Sequence, residues 1–385
     1  MVNEHTWRFA LCPEAPEWRV DWEAIRAAQP WLDELINVPQ DPQHHAEGDV
    51  HTHTRMVAEA LAAMPAWRAL PETERHILFL AALLHDIGKP ICTQVEANGR
   101  IISQRHARVG ATIARQLLWV NETLGAAPPL HVRETIVALV RLHGLPIWFL
   151  DRNDMEHALI TSSYRMQAAN LAHLALLAEA DARGRICADQ NELLGRIELF
   201  RGACAERAIL TQPYPFASPH SRVRYCRSGS GDPNYHAYDT TWGEVIVMVG
   251  LPGAGKDHWL NTQALDLPIV SLDAIRQEKR IDPTKPQGIV ASAAKEQARV
   301  YLRRKQPFIW NATNLTRMMR DPLLDLLLGY DARVRLVYCD APLNAILTSN
   351  HARQHSVPEN VVLRLASKFD MPDLTEAHAL DIVER

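Results

Sequence analysis

The sequence predicts a two-domain protein, an all-α helical bundle followed by an α/β domain with a parallel sheet. Three observations carry that expectation. Between residues 55 and 210, "MVAEALAAM", "HILFLAALLHDIG", "HARVGATIARQLL", "ETIVALVRLHG" and "MQAANLAHLALLAEADARG" place apolar residues at spacings of three and four, the period of a helix face, with Val109, Ile113 and Leu117 as one stripe. Further on, "VIVMVG", "PIVSL", "PFIW" and "VRLVYC" are short and continuously apolar, as strands buried on both faces should be. Between the two textures lies "PYPFASPHSRVRYCRSGSGDPNYHAYDTTWG", rich in Pro, Ser, Gly and Tyr, which reads as a connecting segment. The expected boundaries are 1–212 for the bundle, 213–243 for the connection and 244–385 for the α/β domain. With 385 residues, each half is long enough to bury its own core.

Composition narrows the class. Hydrophobic residues at 47% and charged residues at 22% are ordinary for a soluble chain, and no apolar run approaches the ~20 residues a membrane helix needs, so no membrane partner is expected. "MVNEHTWRFALCPEAPEWRV" lacks a basic segment followed by an apolar stretch and a cleavage site, which makes the cytoplasm the expected location. Cys12, Cys92, Cys187, Cys204, Cys226 and Cys339 form no C-x-x-C pair, which argues against a zinc ribbon or a disulfide framework. A net charge of −4 excludes a generally basic nucleic-acid coat and leaves only local basic runs, "RVYLRRK" at 299–305 and "SRVRYCR" at 221–227, as contacts.

Within "AALLHDIGKP", the apolar run breaks at His85 and Asp86. One His-Asp pair is explained equally well by a capped helix end, so partners must decide. His53 opens a helix after "EGDV", His106 begins "HARVGA", His143 ends "IVALVRLHG" and Asp181 lies near the end of the long helix in "LLAEADARGR". Each sits at a helix end, where a side chain can face a shared cleft.

The order His, His-Asp, Asp over roughly residues 45–210 resembles the HD phosphohydrolase superfamily, an all-helical fold. "HDIGK", the H-x-x-x-G-A of 106–111, the L-V-x-x-H of 139–143 and "EADARGR" look in particular like the HD domains of tRNA nucleotidyltransferases. The resemblance implies that His53, His85, Asp86 and Asp181 hold one metal and that His106 and His143 hold a second, with Asp86 bridging. Imidazoles with carboxylates suit Mn, Fe, Co, Ni or Zn better than a Mg cage of oxygens. Two such ions would serve phosphoester hydrolysis. Lys89, one turn past the pair, is placed to steady substrate phosphate or to be a plain surface lysine.

"GLPGAGKD", 250–257, follows an expected strand and precedes a helical run, the context of the phosphate-loop motif G-x-x-x-x-G-K-[S/T]. Gly250, Gly253, Ala254, Gly255, Lys256, Asp257 and His258 are the expected nucleotide-binding residues, with ATP or another NTP and Mg²⁺ as cofactors. Asp257 stands where a Ser or Thr hydroxyl normally meets Mg²⁺. In "PIVSLDAIR", Asp273 and Arg276 share one helical face at a strand's carboxyl end, where ligands bind in such sheets, although a helix cap would also explain Asp273. The D-x-x-R after the loop resembles the 5′-OH polynucleotide kinases of phage and bacterial RNA repair, which implies that Asp273 activates the 5′-hydroxyl and Arg276 contacts phosphate. "WNATNLTRMMR" (310–320) resembles that family's strand-end motif and "NHARQHSVPENVV" (350–362) its lid, with Arg353 the lid arginine. Asn311 and Ala312 stand where these kinases usually have an Asp, and Ser349 where an Arg is expected.

Together the halves resemble the bacterial HD-polynucleotide kinase end-healing family. That implies removal of a 2′,3′-cyclic phosphate or 3′-phosphate by the first half and NTP-dependent phosphorylation of a 5′-OH by the second, with RNA or DNA ends as partners. Composition and spacing alone reach a metal phosphohydrolase joined to an NTP-dependent phosphotransferase. Two other readings stand beside it: a nucleotide phosphohydrolase joined to a small-molecule kinase, and a non-catalytic NTP-sensing module.

Overall fold

The computed structural model describes residues 7–120, 127–281, 288–353 and 356–385, and the chain divides into two compact units, Met1–Tyr214 and Pro215–Arg385. In the first unit the main helices are α1 (Val50–Ala63), α2 (Glu72–Leu84), α3 (His106–Val120), α4 (Leu130–Leu142), α5 (Leu171–Arg183) and α6 (Gln190–Glu206). Every residue of α2 from His76 to Leu84 is buried, so α2 is the central helix, against which α1, α4 and α5 pack. That explains "AALLHD": a helix apolar on all sides delivers His85 and Asp86 at its end, inside the bundle. Asp49 caps α1 by accepting from the Thr52 amide at 2.9 Å, which sets where His53 leaves the helix.

The buried face of α3 differs from the expected stripe. Ala111, Ala114 and Leu118 are buried, while Val109, Ile113 and Leu117 are half-buried. The reason is a close backbone approach at the start of α3. A Cβ on Gly88 would lie 2.2 Å from the His106 carbonyl oxygen and 2.6 Å from the Gly110 nitrogen, so only glycine at 88 lets the turn after Asp86 touch α3. Small residues thus face inward, and His106 is brought beside Asp86.

The second unit contains α7 (Pro219–Ser228), β1 (Glu244–Val249), α8 (Lys256–Gln263), β2 (Ile269–Ser271), α9 (Leu272–Glu278), α10 (Gly288–Arg303), β3 (Phe308–Asn311), α11 (Arg317–Leu328), β4 (Arg333–Asp340), α12 (Leu343–His351), α13 (Glu359–Ala366) and β5 (Ala379–Glu384). The five strands form one parallel sheet in the order β2-β3-β1-β4-β5. Central β1 is buried from Val245 to Val249, which matches its unbroken apolar run. The buried Arg320 guanidinium donates to both oxygens of Glu376 at 2.7 and 2.8 Å and to the carbonyls of Asn314, Leu315 and Asp370. It thereby ties the loop behind β3 to the segment entering β5.

Residues 213–243, expected as a connection, include α7, and α7 belongs to the second unit. Arg222 donates to the carbonyls of Leu374, Ala377 and His378, and Arg227 pairs with Asp321 and Asp325. The basic run 221–227 therefore serves internal packing through these two arginines, whereas Arg224 is exposed. β5 escaped the sequence reading because "ALDIVE" is an edge strand with mixed burial and no continuous apolar run. No helix among the described residues is long and apolar enough to cross a membrane, and all six cysteines are free.

Candidate functional sites

His53, His85, Asp86, His106, His143 and Asp181 converge on one cluster in the first unit. All are buried except His106, which is half-buried. Asp86 lies at the centre. Its Oδ2 is 3.2 Å from His85 Nε2 and 3.7 Å from His53 Nε2, and His53 Nε2 is 3.1 Å from Asp181 Oδ1. Its Oδ1 is 3.3 Å from His106 Nε2 and 4.0 Å from His143 Nε2. One carboxylate thus faces two histidine groups.

The tautomers follow from the backbone. The Nδ1–H of His85 donates to the Ala82 carbonyl at 2.7 Å, that of His106 to Ser103 at 2.7 Å and that of His143 to Val140 at 2.8 Å. His53 Nδ1 faces Glu47 Oε1 at 2.8 Å. Each ring, when neutral, therefore turns an Nε2 lone pair inward, yet His85 and His53 meet Nε2 to Nε2 at 3.4 Å, and His106 and His143 at 3.2 Å. Two lone pairs cannot hydrogen-bond to each other, so each pair calls for a metal ion between the rings or an Nε2–H on one of them; burial pushes the His85 imidazole down, but Asp86 and Asp181 outweigh it and raise it. Imidazoles whose other nitrogen donates to carbonyl or carboxylate are oriented as metal ligands are. The ligand atoms of His53, His85 and Asp86, and separately those of Asp86, His106 and His143, all lie within 4.8 Å of one another. The donor set fits divalent metal.

Charges in the cluster are strongly coupled. Burial pushes the Asp86 carboxyl up, but Lys89 and His85 outweigh it and hold Asp86 well below its ordinary range. Burial acts the same way on Asp181, where Arg185 and His53 prevail. Burial, with His106 and His85 alongside, pushes His143 down to about 3, and burial likewise lowers His106. Those two rings are neutral at neutral pH. Lys89 is no surface lysine: it is buried, and its Nζ lies 2.7 Å from Asp86 Oδ2 and donates to Gln40 Oε1 at 2.6 Å. It neutralises the central carboxylate, although it also lines the cavity.

Sequence reasoning missed the residues that hold these ligands. Arg185 grips Asp181 with two bonds of 3.0 and 2.7 Å, and Glu47 also pairs with His45 at 2.8 Å while accepting from the Ile186 amide. The dense His and acidic stretch "HHAEGDVHTH" was the available signal. Arg185→Ala is expected to weaken divalent-metal affinity about 10- to 100-fold, as loss of a residue that orients a ligand does. Metal content after dialysis against a graded chelator checks it, and unchanged retention would reduce Arg185 to a brace for the end of α5.

Beside the cluster opens a cavity of about 490 Å³, within the range of small-ligand sites. Its lining includes Asp86, Lys89, His106, His143, Asp181 and Trp148.

In the second unit, the loop 250–255 connects β1 to α8 at the carboxyl edge of the sheet. Gly250, Gly253 and Gly255 all have positive φ, at 149°, 88° and 99°, and a Cβ on Gly253 would lie 2.4 Å from the Ile346 carbonyl oxygen. Ala254 is buried and its amide donates to the Leu251 carbonyl. Lys256 folds back so that Nζ donates to the Gly250 and Leu251 carbonyls at 2.8 and 2.9 Å, and burial pushes it down to about 8. A glycine-rich loop leading into a helix N-terminus with a lysine beside it can cradle phosphates through its backbone amides. His258 is exposed next to Asp257.

Ser271, not Asp273, caps α9, accepting from the Ala274 amide at 3.2 Å. Asp273 stands free of capping in the first turn, its Oδ1 paired with Arg276 and its Oδ2 3.9 Å from Arg353. Arg353 also lies 3.7 Å from Asp257 Oδ2, so it sits between the two carboxylates. At the base of the expected lid segment, buried Asn350 donates to the Val357 carbonyl at 2.7 Å and accepts from the Val357 amide at 3.1 Å. Gln354 and His355 of the lid lie outside the described residues.

Two departures from the kinase pattern turn out to face each other. Asn311, at the end of β3, donates its amide to Asp257 Oδ1 at 3.0 Å. The loop has an acid where the motif has a hydroxyl, and the strand end has an amide where the kinases that this segment resembles have an acid. Asp257→Ser is expected to keep turnover but to require more Mg²⁺, and adding Asn311→Asp should return the requirement toward that of the unaltered protein. Turnover measured against Mg²⁺ for the three proteins checks this; three superimposable curves would remove both residues from any role with the ion.

Residues 50–181 match the family model described as the HD domain, and residues 245–372 match the one described as an AAA domain. Among sequence relatives, the multifunctional CCA protein of Azoarcus sp. is 31% identical over 230 residues, covering 51% of this chain and 51% of that protein. The multifunctional CCA protein of Xanthomonas oryzae pv. oryzae is 29% identical over 189 residues, covering 49% of this chain and 43% of that protein. The chain therefore spans about half the length, or less, of these curated relatives. Among solved structures, a gluconokinase from Sinorhizobium meliloti aligns over 37% of this chain and 83% of its own, with 18% identity and a TM-score of 0.28. Fold and family matches agree on the architecture: a helical unit matched by the HD domain model is followed by a parallel α/β unit, with a glycine-rich loop after its central strand, matched by the AAA domain model.

Proposed function

We propose that the chain heals broken RNA ends, removing a 2′,3′-cyclic phosphate or 3′-phosphate in the first unit and phosphorylating a 5′-OH in the second. The observation that carries the first activity is the opposed Nε2 pairs on either side of Asp86. His53, His85, Asp86 and Asp181 would hold one divalent ion, and His106 and His143 with Asp86 a second. When bound, such ions activate a water and neutralise phosphoryl oxygens. The chain's part is to fix the ligand rings through their Nδ1 bonds, to balance Asp86 with Lys89 and to offer the cavity to the substrate.

In the second unit the loop amides would bind the NTP phosphates, and Lys256 would exchange its two carbonyls for phosphoryl oxygens. Asp273, oriented by Arg276, would accept the 5′-hydroxyl proton as the O5′–P bond forms and the bond from the γ-phosphorus to its bridging oxygen breaks, releasing the nucleoside diphosphate. Arg353 would stabilise charge on the transferring phosphoryl. The likeness of "HDIGK" and its companion motifs to the HD domains of tRNA nucleotidyltransferases, and the match to multifunctional CCA proteins, support RNA as the polymer.

Acceptor choice tests this reading. With labelled ATP, a 5′-OH oligoribonucleotide is expected to be phosphorylated far faster than a free nucleoside or a sugar. Preferential labelling of the small acceptor would make the second unit a small-molecule kinase, and ATP binding without turnover on any acceptor would make it a nucleotide sensor.

A further inference from the structure

One stretch of the first unit's cavity is apolar, which hydrolysis of a bare phosphate does not require. Leu142, Leu145, Trp148 and Leu193 line the same cavity as Asp86 and His143, and Trp148 follows His143 by five residues. Trp148 is 51% exposed although a large aromatic is normally covered. Its ring is nonetheless held: the Arg196 guanidinium carbon lies 5.7 Å from the ring centroid, and Arg196 is anchored by Asp151 at 2.7 Å and Glu192 at 3.3 Å. A rigid, half-exposed indole in the wall of a phosphoester cavity is the feature that proteins use to stack a base beside a handled phosphate.

We infer that Trp148 stacks on the nucleobase of the terminal nucleotide whose 3′-phosphoryl group sits at the Asp86 cluster, so that the first unit selects nucleotide ends over base-free phosphoesters. The inference rests on the hydrolytic reading of that cluster and adds the substrate feature that the cavity reads. Stacking tolerates any base, because every base presents a π face, and no base-specific hydrogen bond is invoked.

The test uses the metal-loaded full chain and two 3′-phosphate oligoribonucleotides, one ending in 2-aminopurine and one ending in an abasic ribose. The unaltered protein is expected to quench 2-aminopurine fluorescence on binding and to show a KM about tenfold higher for the abasic end, with kcat little changed. Trp148→Ala should abolish the quenching and raise KM for the base-bearing end to the abasic value, while Trp148→Phe should keep most of the affinity. Equal KM for the two ends in the unaltered protein overturns the stacking without needing any variant, and so does Trp148→Ala with unaltered quenching and KM. Absence of 3′-dephosphorylation of either end by the unaltered protein instead overturns the hydrolytic reading beneath it.

Discussion

Replacing Asp86 with alanine is expected to cut 3′-end dephosphorylation by at least about a hundredfold while 5′-phosphorylation proceeds at close to its original rate. The floor follows from what loss of a residue merely orienting a ligand does to a metal site, since Asp86 offers an oxygen to each histidine group. Removing it also leaves buried Lys89 facing Gln40 without its carboxylate partner, an unpaired charge that the bundle must accommodate. Asp86→Asn separates the two effects, because it keeps the volume and one oxygen while losing the charge. Metal content, dephosphorylation and kinase rate are measured on the same preparations. Parallel loss of both activities in a folded, monodisperse Asp86→Ala protein would contradict two chemically separate sites.

The second large effect is expected at Asp273. General-base catalysis typically contributes about 10²–10⁴-fold, so Asp273→Ala should reduce kinase turnover by that order while ATP affinity stays near its original value. Lys256 and the loop that would hold the phosphates lie outside α9, with Lys256 bonded to the Gly250 and Leu251 carbonyls rather than to Asp273, which is why affinity should survive. The structure removes the plainest alternative, since Ser271 already caps the helix. Turnover and ATP affinity measured separately decide it; unimpaired turnover would leave Asp273 as an anchor for Arg276 and Arg353 alone.

Residues whose chemistry is announced by motif and whose backbone is announced by periodicity were legible. "HDIGK" at the end of an all-apolar helix and "GLPGAGKD" after an unbroken apolar strand each contain the local reason for their placement. What stayed hidden depends on which contacts the folded chain makes. Glu47 lies in the His-rich stretch before His53 and Arg185 one helical turn after Asp181, but such spacings equally suit solvated surface pairs, and only the fold shows that both meet buried ligands. In sequence Asn311 is only a departure from the kinase pattern, and its bond to Asp257 appears only in the fold. The face of α3 was misread by one residue because Gly88 forces an approach that a helical wheel does not contain. α7 was hidden by Pro, Ser and Gly around it, although Ser218 caps it and Gly229 ends it at positive φ.

The central claim, that one chain prepares both ends of a broken RNA, is tested most directly by a single incubation. The protein is mixed with γ-labelled ATP and an RNA bearing a 5′-OH and a 3′-phosphate, and both termini are mapped. Label is expected at the 5′ end and a free hydroxyl at the 3′ end of the same molecules. Label appearing only on a small acceptor, or a 3′-phosphate that persists while free nucleotides are hydrolysed, would contradict it.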